Sequence, residues 1–231
     1  MFCKEIDDFL RLLKKSPSGA VFNPWWEVDE RNDVGHNAPV IRRNQLRAYL
    51  EERLGKSKVA IIGEALGYRG GHFSGIPMTS ERMLLGKKKD SGIHLEQVFS
   101  GIQPRQTSKP EKYQDGFSEP TATIVWGTLL KLGLKPEQFV LWNAFPWHSF
   151  DPRRGMLSNR RPTKKELSAS LSVLKAFLDL FPRDEIVALG NVAASQLKEL
   201  NVDTHQVRHP ASGGAKLFRQ QIGRIVPKVR T

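Results

Sequence analysis

Cysteine is almost missing from this chain of 231 residues: Cys3 is the only one. One thiol excludes a disulfide framework. It also excludes a thiolate set for structural zinc or an iron–sulfur cluster. No apolar run approaches the roughly 18–20 residues that span a bilayer. The opening stretch MFCKEIDDFLRLLKK is amphipathic and charged, unlike a secretory leader. Acidic charge is in short supply, 24 Asp and Glu against 36 Lys and Arg, a net charge of +12. These shortages describe a soluble protein of a reducing, cytoplasmic compartment, with no membrane partner, metal or cofactor expected. Its length fits one domain, residues 1–231, able to bury a sizeable core.

The positive charge is uneven. From Asp151 onward there are 15 basic and 7 acidic residues, net +8, so the first 150 residues carry only +4. Such an excess suggests a polyanionic partner, with a merely basic surface as the alternative. Apolar periodicity predicts a helix over 4–15 and a second over 40–54. Together they make residues 1–57 an N-terminal helical segment packed on the rest. The short apolar runs 58–63, 139–144 and 185–190 read as buried strands, and 204–210 as a short strand leading into a loop. Helices are predicted over 121–132, over 163–181 with a Thr163/Glu166 capping box, to about 200 with Asn191 as its cap, and from Gly214. A short helix opens at Ser80. Residues 86–120, rich in Lys, Ser, Gly and Pro, read as a long surface excursion. Alternating strands and helices give an α/β fold, a sandwich on a short, mainly four-stranded parallel sheet. Ligands bind such sheets at the carboxyl ends of the strands.

Three groups stand at those ends. The turn VAIIGEALGYRGG lacks a Lys-Ser or Lys-Thr pair after its glycines, and Gly63-x-x-x-Gly67 misses the dinucleotide spacing. Glu64 would repel a pyrophosphate. It offers a carboxylate at the mouth of the sheet, or else it caps a turn or pairs with an arginine. Asn143 ends an otherwise apolar strand. One side-chain amide satisfies the N3–H donor and O4 acceptor of uracil and rejects cytosine, whose pattern is reversed. Bonding to neighbouring backbone is the alternative. His209 precedes Pro210 and a run of small residues ending in Lys216; it donates to a leaving group or simply faces solvent. Trp25, Trp26, Trp126, Trp142 and Trp147 read as core, though Trp147 and His148 follow Asn143 closely enough to line a pocket. The triplet Lys87-Lys88-Lys89 reads as a solvated face.

Together the pieces resemble the uracil-DNA glycosylase superfamily. GEALG (63–67) is similar to its first motif, and SGIPMTSE (74–81) to its Thr/Ser-Gly-x-Pro-Phe stretch. LWNAFPW followed by NRRPTKKEL is similar to its strand-end Asn and Asn-Arg-x-Pro-x-x-x-Glu run. ALGNVAASQL and HPASGG complete the order, from about Lys58 to Phe218. The resemblance implies a three-layer α/β/α sandwich and excision of uracil from single- or double-stranded DNA. It implies a monomer at work in bacterial nucleoid DNA repair, and no metal. By motif, Glu64 positions the attacking water, Asn143 reads the uracil edge and His209 stabilises the departing base. Gly63, Ala65, Tyr68, Phe73 and Met78 fall around the base. Arg208, Ser212, Gly213, Gly214, Lys216 and Leu217 fall on the DNA. Leu66 replaces the usual Pro, and Met78 stands where a Phe usually stacks on uracil, leaving Met78 or Phe73 for that task. Gly67 stands where some members wall off thymine. Two alternatives share the scaffold: a non-catalytic lesion or nucleotide binder, and a variant that traps the abasic sugar covalently through His209.

Overall fold

The computed structural model describes residues 2–226, in the order α1 (Phe2–Leu12), β1 (Val21–Phe22), α2 (Ala38–Glu51), β2 (Val59–Ala65), α3 (Gly71–Ser74), α4 (Glu81–Leu84) and α5 (Pro120–Lys131). There follow β3 (Phe139–Phe145), β4 (His148–Ser149), α6 (Lys164–Leu180), β5 (Glu185–Leu189), α7 (Asn191–Glu199), β6 (His205–Val207) and α8 (Ala215–Ile225). Four strands form a parallel sheet in the order β3-β2-β5-β6. β1 and β4 form a separate antiparallel pair, with Phe22 opposite His148. Nothing in the sequence pattern marked that pair, because two residues carry no periodicity.

The sheet is central because its strands are apolar on both faces. Val59–Ile62 and all of β3 are buried, so both sides need cover. α6 packs on β3, α7 on β5 and β2, and α8 on β6. On α1, Ile6, Phe9 and Leu10 are buried, as is Leu13 just beyond it, and the Phe9 ring meets Trp142 edge-on at 5.1 Å. Thr163 caps α6 by accepting from the Glu166 N–H, while the Glu166 carboxylate accepts from the Thr163 N–H. Asn191 is the first helical residue of α7 rather than its cap; Gly190 holds the cap position at φ +88°, a conformation open to glycine.

Residues 86–120 make two short 3₁₀ turns and otherwise run irregularly, yet they are tied down. The buried Glu81 carboxylate accepts from the Thr107 N–H (2.7 Å), the Ser108 N–H (3.0 Å) and hydroxyl (2.6 Å), and the Phe117 N–H (3.3 Å). Buried Arg53 donates to the carbonyls of Val98 and Gln97. A buried carboxylate surrounded by donors is costly to remove, because each donor is then left without water or partner. Glu81→Ala is therefore expected to lower the unfolding free energy by about 3 kcal/mol, measured by urea melts. Limited proteolysis should show new cleavage within 101–118.

Candidate active site

The strand register sets the site. Gly63 on β2 lies opposite Asn143 on β3. A Cβ built on Gly63 would stand 2.5 Å from Asn143 Oδ1 and 3.4 Å from Met78 Sδ. Glycine is needed there to let the amide lie across the strand, not to wrap an anion. Asn143 is only 1% exposed, and its Nδ2 has no hydrogen-bond partner among the described residues. An unpaired buried donor of this kind costs about 1–3 kcal/mol. Met78 covers the same spot with a backbone φ of +48°, a conformation costing a non-glycine residue about 1–3 kcal/mol. It is held by the Trp126 indole N–H, which donates to the Met78 carbonyl at 3.1 Å.

Next to Gly63, Glu64 faces a cleft of about 650 Å³, whose walls include Arg161, Gly190, Arg208, His209 and Leu217. Burial lifts the Glu64 pKa, and Arg161 pulls it back down. His209 is partly buried; burial first, then Arg208, lowers its pKa. Its Nδ1 accepts from the Ala211 N–H at 3.1 Å. The neutral ring therefore carries its proton on Nε2 as a hydrogen-bond donor.

Glu64 and His209 thus share one cleft. Asn143 lies one strand position away, beneath Met78 and off the cleft lining. Phe73 is a correction: its ring is fully buried, stacked on Phe117 (4.5 Å, 4°) and against His72 (4.2 Å), so it is not the ring that stacks on a base. Tyr68 is half-buried, edge-on to Phe117, with Arg69 donating to its hydroxyl. Trp147 and His148 are also buried away from the cleft; the Trp147 indole donates to the Leu13 carbonyl. Arg208, Ser212, Gly213 and Lys216 are exposed, and Leu217 is 46% exposed on the cleft wall. Gly214 is buried instead: a Cβ there would lie 2.0 Å from the His209 carbonyl oxygen, so it serves the turn into α8 rather than a DNA surface.

Three side chains were given no role of their own in the sequence reading. Arg161 is the cation facing Glu64. Asn159 Oδ1 accepts from the Tyr68 N–H at 3.0 Å and so fixes the loop after Glu64. Both stand in the NRRP run, beside Arg160, whose guanidinium grips Glu166 at 2.6 and 2.8 Å. The third is Glu119, whose carboxyl packs against Gly70, which has no room for a side chain. Its Oε2 is buried without a partner, and burial pushes its pKa up to about 7. Among the described residues no cluster of three or more His, Cys, Asp or Glu is placed to hold a metal, and no helix is long and apolar enough to cross a membrane.

The chain is thus an α/β protein whose parallel sheet carries an acid, an imidazole and a strand-end amide at its carboxyl edge. In overall fold it is similar to wild-type SMUG2 of Pedobacter heparinus, seen in a crystal structure: the TM-score is 0.63, with 14% identity and 97% of each chain covered. No curated protein matches the sequence. The family model for the Uracil DNA glycosylase superfamily matches residues 52–227, and the chain belongs to that superfamily.

Glu119 makes stability depend on pH. The folded carboxyl holds its proton up to about 7, whereas an unfolded glutamate releases it near 4.5. Its stabilising contribution is complete below pH 4.5, is lost as pH rises toward 7, and stays lost above. Glu119→Gln should therefore gain on the order of 2–3 kcal/mol relative to the parent between pH 5 and 8, read by urea melts across that range.

Proposed function

We propose that the protein is a monofunctional uracil-DNA glycosylase, acting as a monomer to hydrolyse the N-glycosidic bond of uracil in single- or double-stranded DNA and leaving an abasic site. Membership of a superfamily of DNA glycosylases supports the reaction class. The observation that carries uracil is the Asn143 amide held opposite Gly63, one residue from Glu64, with its Nδ2 unpaired among the described residues. Its Nδ2–H suits O4 of the base and its Oδ1 suits N3–H. Cytosine would set donor against donor and acceptor against acceptor, losing about 1–3 kcal/mol per mispaired group.

A base inside a duplex must first be swung out, at a cost of a few kcal/mol. Arg161, Arg208 and Lys216 hold the flanking phosphates, and Leu217 fills the gap left in the stack. As the bond to the sugar lengthens, negative charge gathers on uracil O2 and positive charge on the sugar. The His209 Nε2–H meets the first, and the Glu64 carboxylate meets the second while orienting water. His209, its pKa lowered, fits its role at neutral pH as an uncharged donor, and Glu64 fits its own in the ionised form that the Arg161 charge favours. Covalent capture of the sugar would need a lone pair on Nε2, where the Ala211 contact puts the proton. A binder that releases no base is the other reading, favoured by Met78, whose Sδ fills the space beside Gly63 and Asn143 at 3.4 Å from where a Cβ on Gly63 would stand.

The test uses an oligonucleotide with a single dU, incubated at low salt and cleaved with alkali. Strand scission is expected. Tight binding with no scission would move the assignment to a lesion binder. Glu64→Gln should cut kcat by about 10²–10⁴ and abolish the acidic limb of the pH profile. That limb should lie above the ordinary glutamate range, because burial raises the Glu64 pKa. Asn143→Asp should lose uracil excision or gain action on cytosine.

A further inference from the structure

Behind the loop that follows Glu64 lies a buried chain of polar groups that the proposed chemistry does not use. His148 Nε2 is 2.8 Å from the Ser158 carbonyl, so it must carry a proton and donate. Burial, and the nearby His72, push the His148 pKa down to about 3, which leaves its Nδ1 as a bare acceptor. His72 Nδ1 lies 2.9 Å from that nitrogen and must be the donor. His72 Nε2 then faces Asp29 Oδ2 at 3.3 Å, within ion-pair range though short of a hydrogen bond. Asp29 already accepts from Asn32 Nδ2 on Oδ2 and from the Arg31 N–H on Oδ1, the pattern of a carboxylate. A bare Nε2 would set a lone pair against that carboxylate in a site closed to water.

We propose that an additional proton resides between His72 Nε2 and Asp29, and that His72 and His148 are positioning residues that lock together the two loops flanking the catalytic cleft. The loops are identified by their bonds. The His72 N–H donates to the Gly67 carbonyl, and Ser158 precedes Asn159, which holds the Tyr68 N–H. The first loop follows Glu64 and the second leads to Arg161. The His72 ring is stacked on Phe22 at 4.3 Å. Burial works against a charge on His72 and pulls its pKa down; the contact with Asp29 and the charges of Asp29 and Asp33, from the segment after β1, favour the charge, and Arg42 from α2, which grips Asp33 at 2.7 and 2.9 Å, opposes it. With His72 protonated, each positive charge in this pocket has one carboxylate.

Only the kinetic arm of the test rests on the glycosylase reading. In ¹⁵N spectra of the full-length protein, both His72 nitrogens should show the shifts of protonated nitrogen, unchanged from pH 5.5 to 8.5, with His148 as the Nε2–H tautomer. A lone-pair shift at His72 Nε2, or the opposite tautomer at His148, would overturn the proposal. Asp29→Asn should bring that lone-pair shift into view. His72→Phe keeps the stack on Phe22 but loses the hydrogen bond to His148 and the ion pair with Asp29. It should raise hydrogen exchange at the Tyr68 amide about tenfold and lower kcat on dU-DNA about tenfold with KM little changed. His72→Asn, whose Nδ2 keeps the donor to His148, should recover most of both effects; equal behaviour of the two variants would reduce the pair to a packing role. If the parent releases no base, the catalytic reading fails, while the nitrogen shifts and the amide exchange still decide the proton and the lock.

Discussion

The site depends on one alignment, β2 against β3, that sets a residue without a side chain opposite an asparagine. Parallel strands alternate faces residue by residue, so a slip of one position would send Asn143 to the other side of the sheet and bring a neighbour of Gly63 against it. A single methyl at position 63 would meet Asn143 Oδ1 at 2.5 Å. The apolar stretches that make these strands therefore do two things. They bury enough surface to fix the register, and the register then forces an amide into a place where no described residue partners its Nδ2. The core packs on both sides of a defect of about 1–3 kcal/mol, which a ligand with a carbonyl in the right place would relieve.

Around this rigid floor the walls are irregular backbone, and irregular backbone needs partners for its N–H and C=O groups. Polar side chains supply them. Glu81 gathers the donors of the segment around Thr107 and Ser108, Asn159 takes the Tyr68 N–H, and Arg160 spans Glu166 and the carbonyls of Ala20 and Phe150. Each is a short side chain or one clamped by a second partner, so little rotamer freedom is lost for each bond made. The consequence is an ordering of the site: the loop that follows Glu64 and the loop that carries Arg161 are fixed by hydrogen-bond geometry, which is directional, while the floor is fixed by apolar packing, which is not.

The sheet and its larger helices were legible because burial on both faces writes itself as apolar runs and amphipathic stripes, and Thr163 with Glu166 announces a helix start. Asn143 and Glu64 were legible because a polar residue closing an apolar strand breaks a pattern. Phe73 was misjudged for the converse reason: an aromatic near a motif gives no sign of which partner its face will find, and Phe117, far along an irregular segment, took it. Asn159 and Arg161 were marked only as part of a motif, and Glu119 not at all, since an exposed arginine or a glutamate before a helix looks ordinary until the fold brings it against Glu64 or Gly70. The pairing of His72 with His148 is less legible still. It joins residues 76 positions apart through a two-stranded ribbon that has no periodicity.

On the glycosylase reading, the electrostatics of the cleft follow from the same construction. The chain carries +12 overall, yet the wall facing the sugar holds a carboxylate partly withdrawn from water, with Arg161 as its cation. Before DNA arrives, Arg161 steadies that anion. Phosphates entering the cleft compete for Arg161, and the duplex displaces water, so the carboxylate loses both cation and solvent together. A developing positive charge on the sugar is then the partner that satisfies it. His209 works in the opposite sense: kept neutral by burial and by Arg208, it adds no cation to repel that charge and meets the departing base with a fixed N–H. Binding energy from the basic surface is in this way converted into a field that favours the separated charges of the transition state over the neutral nucleoside.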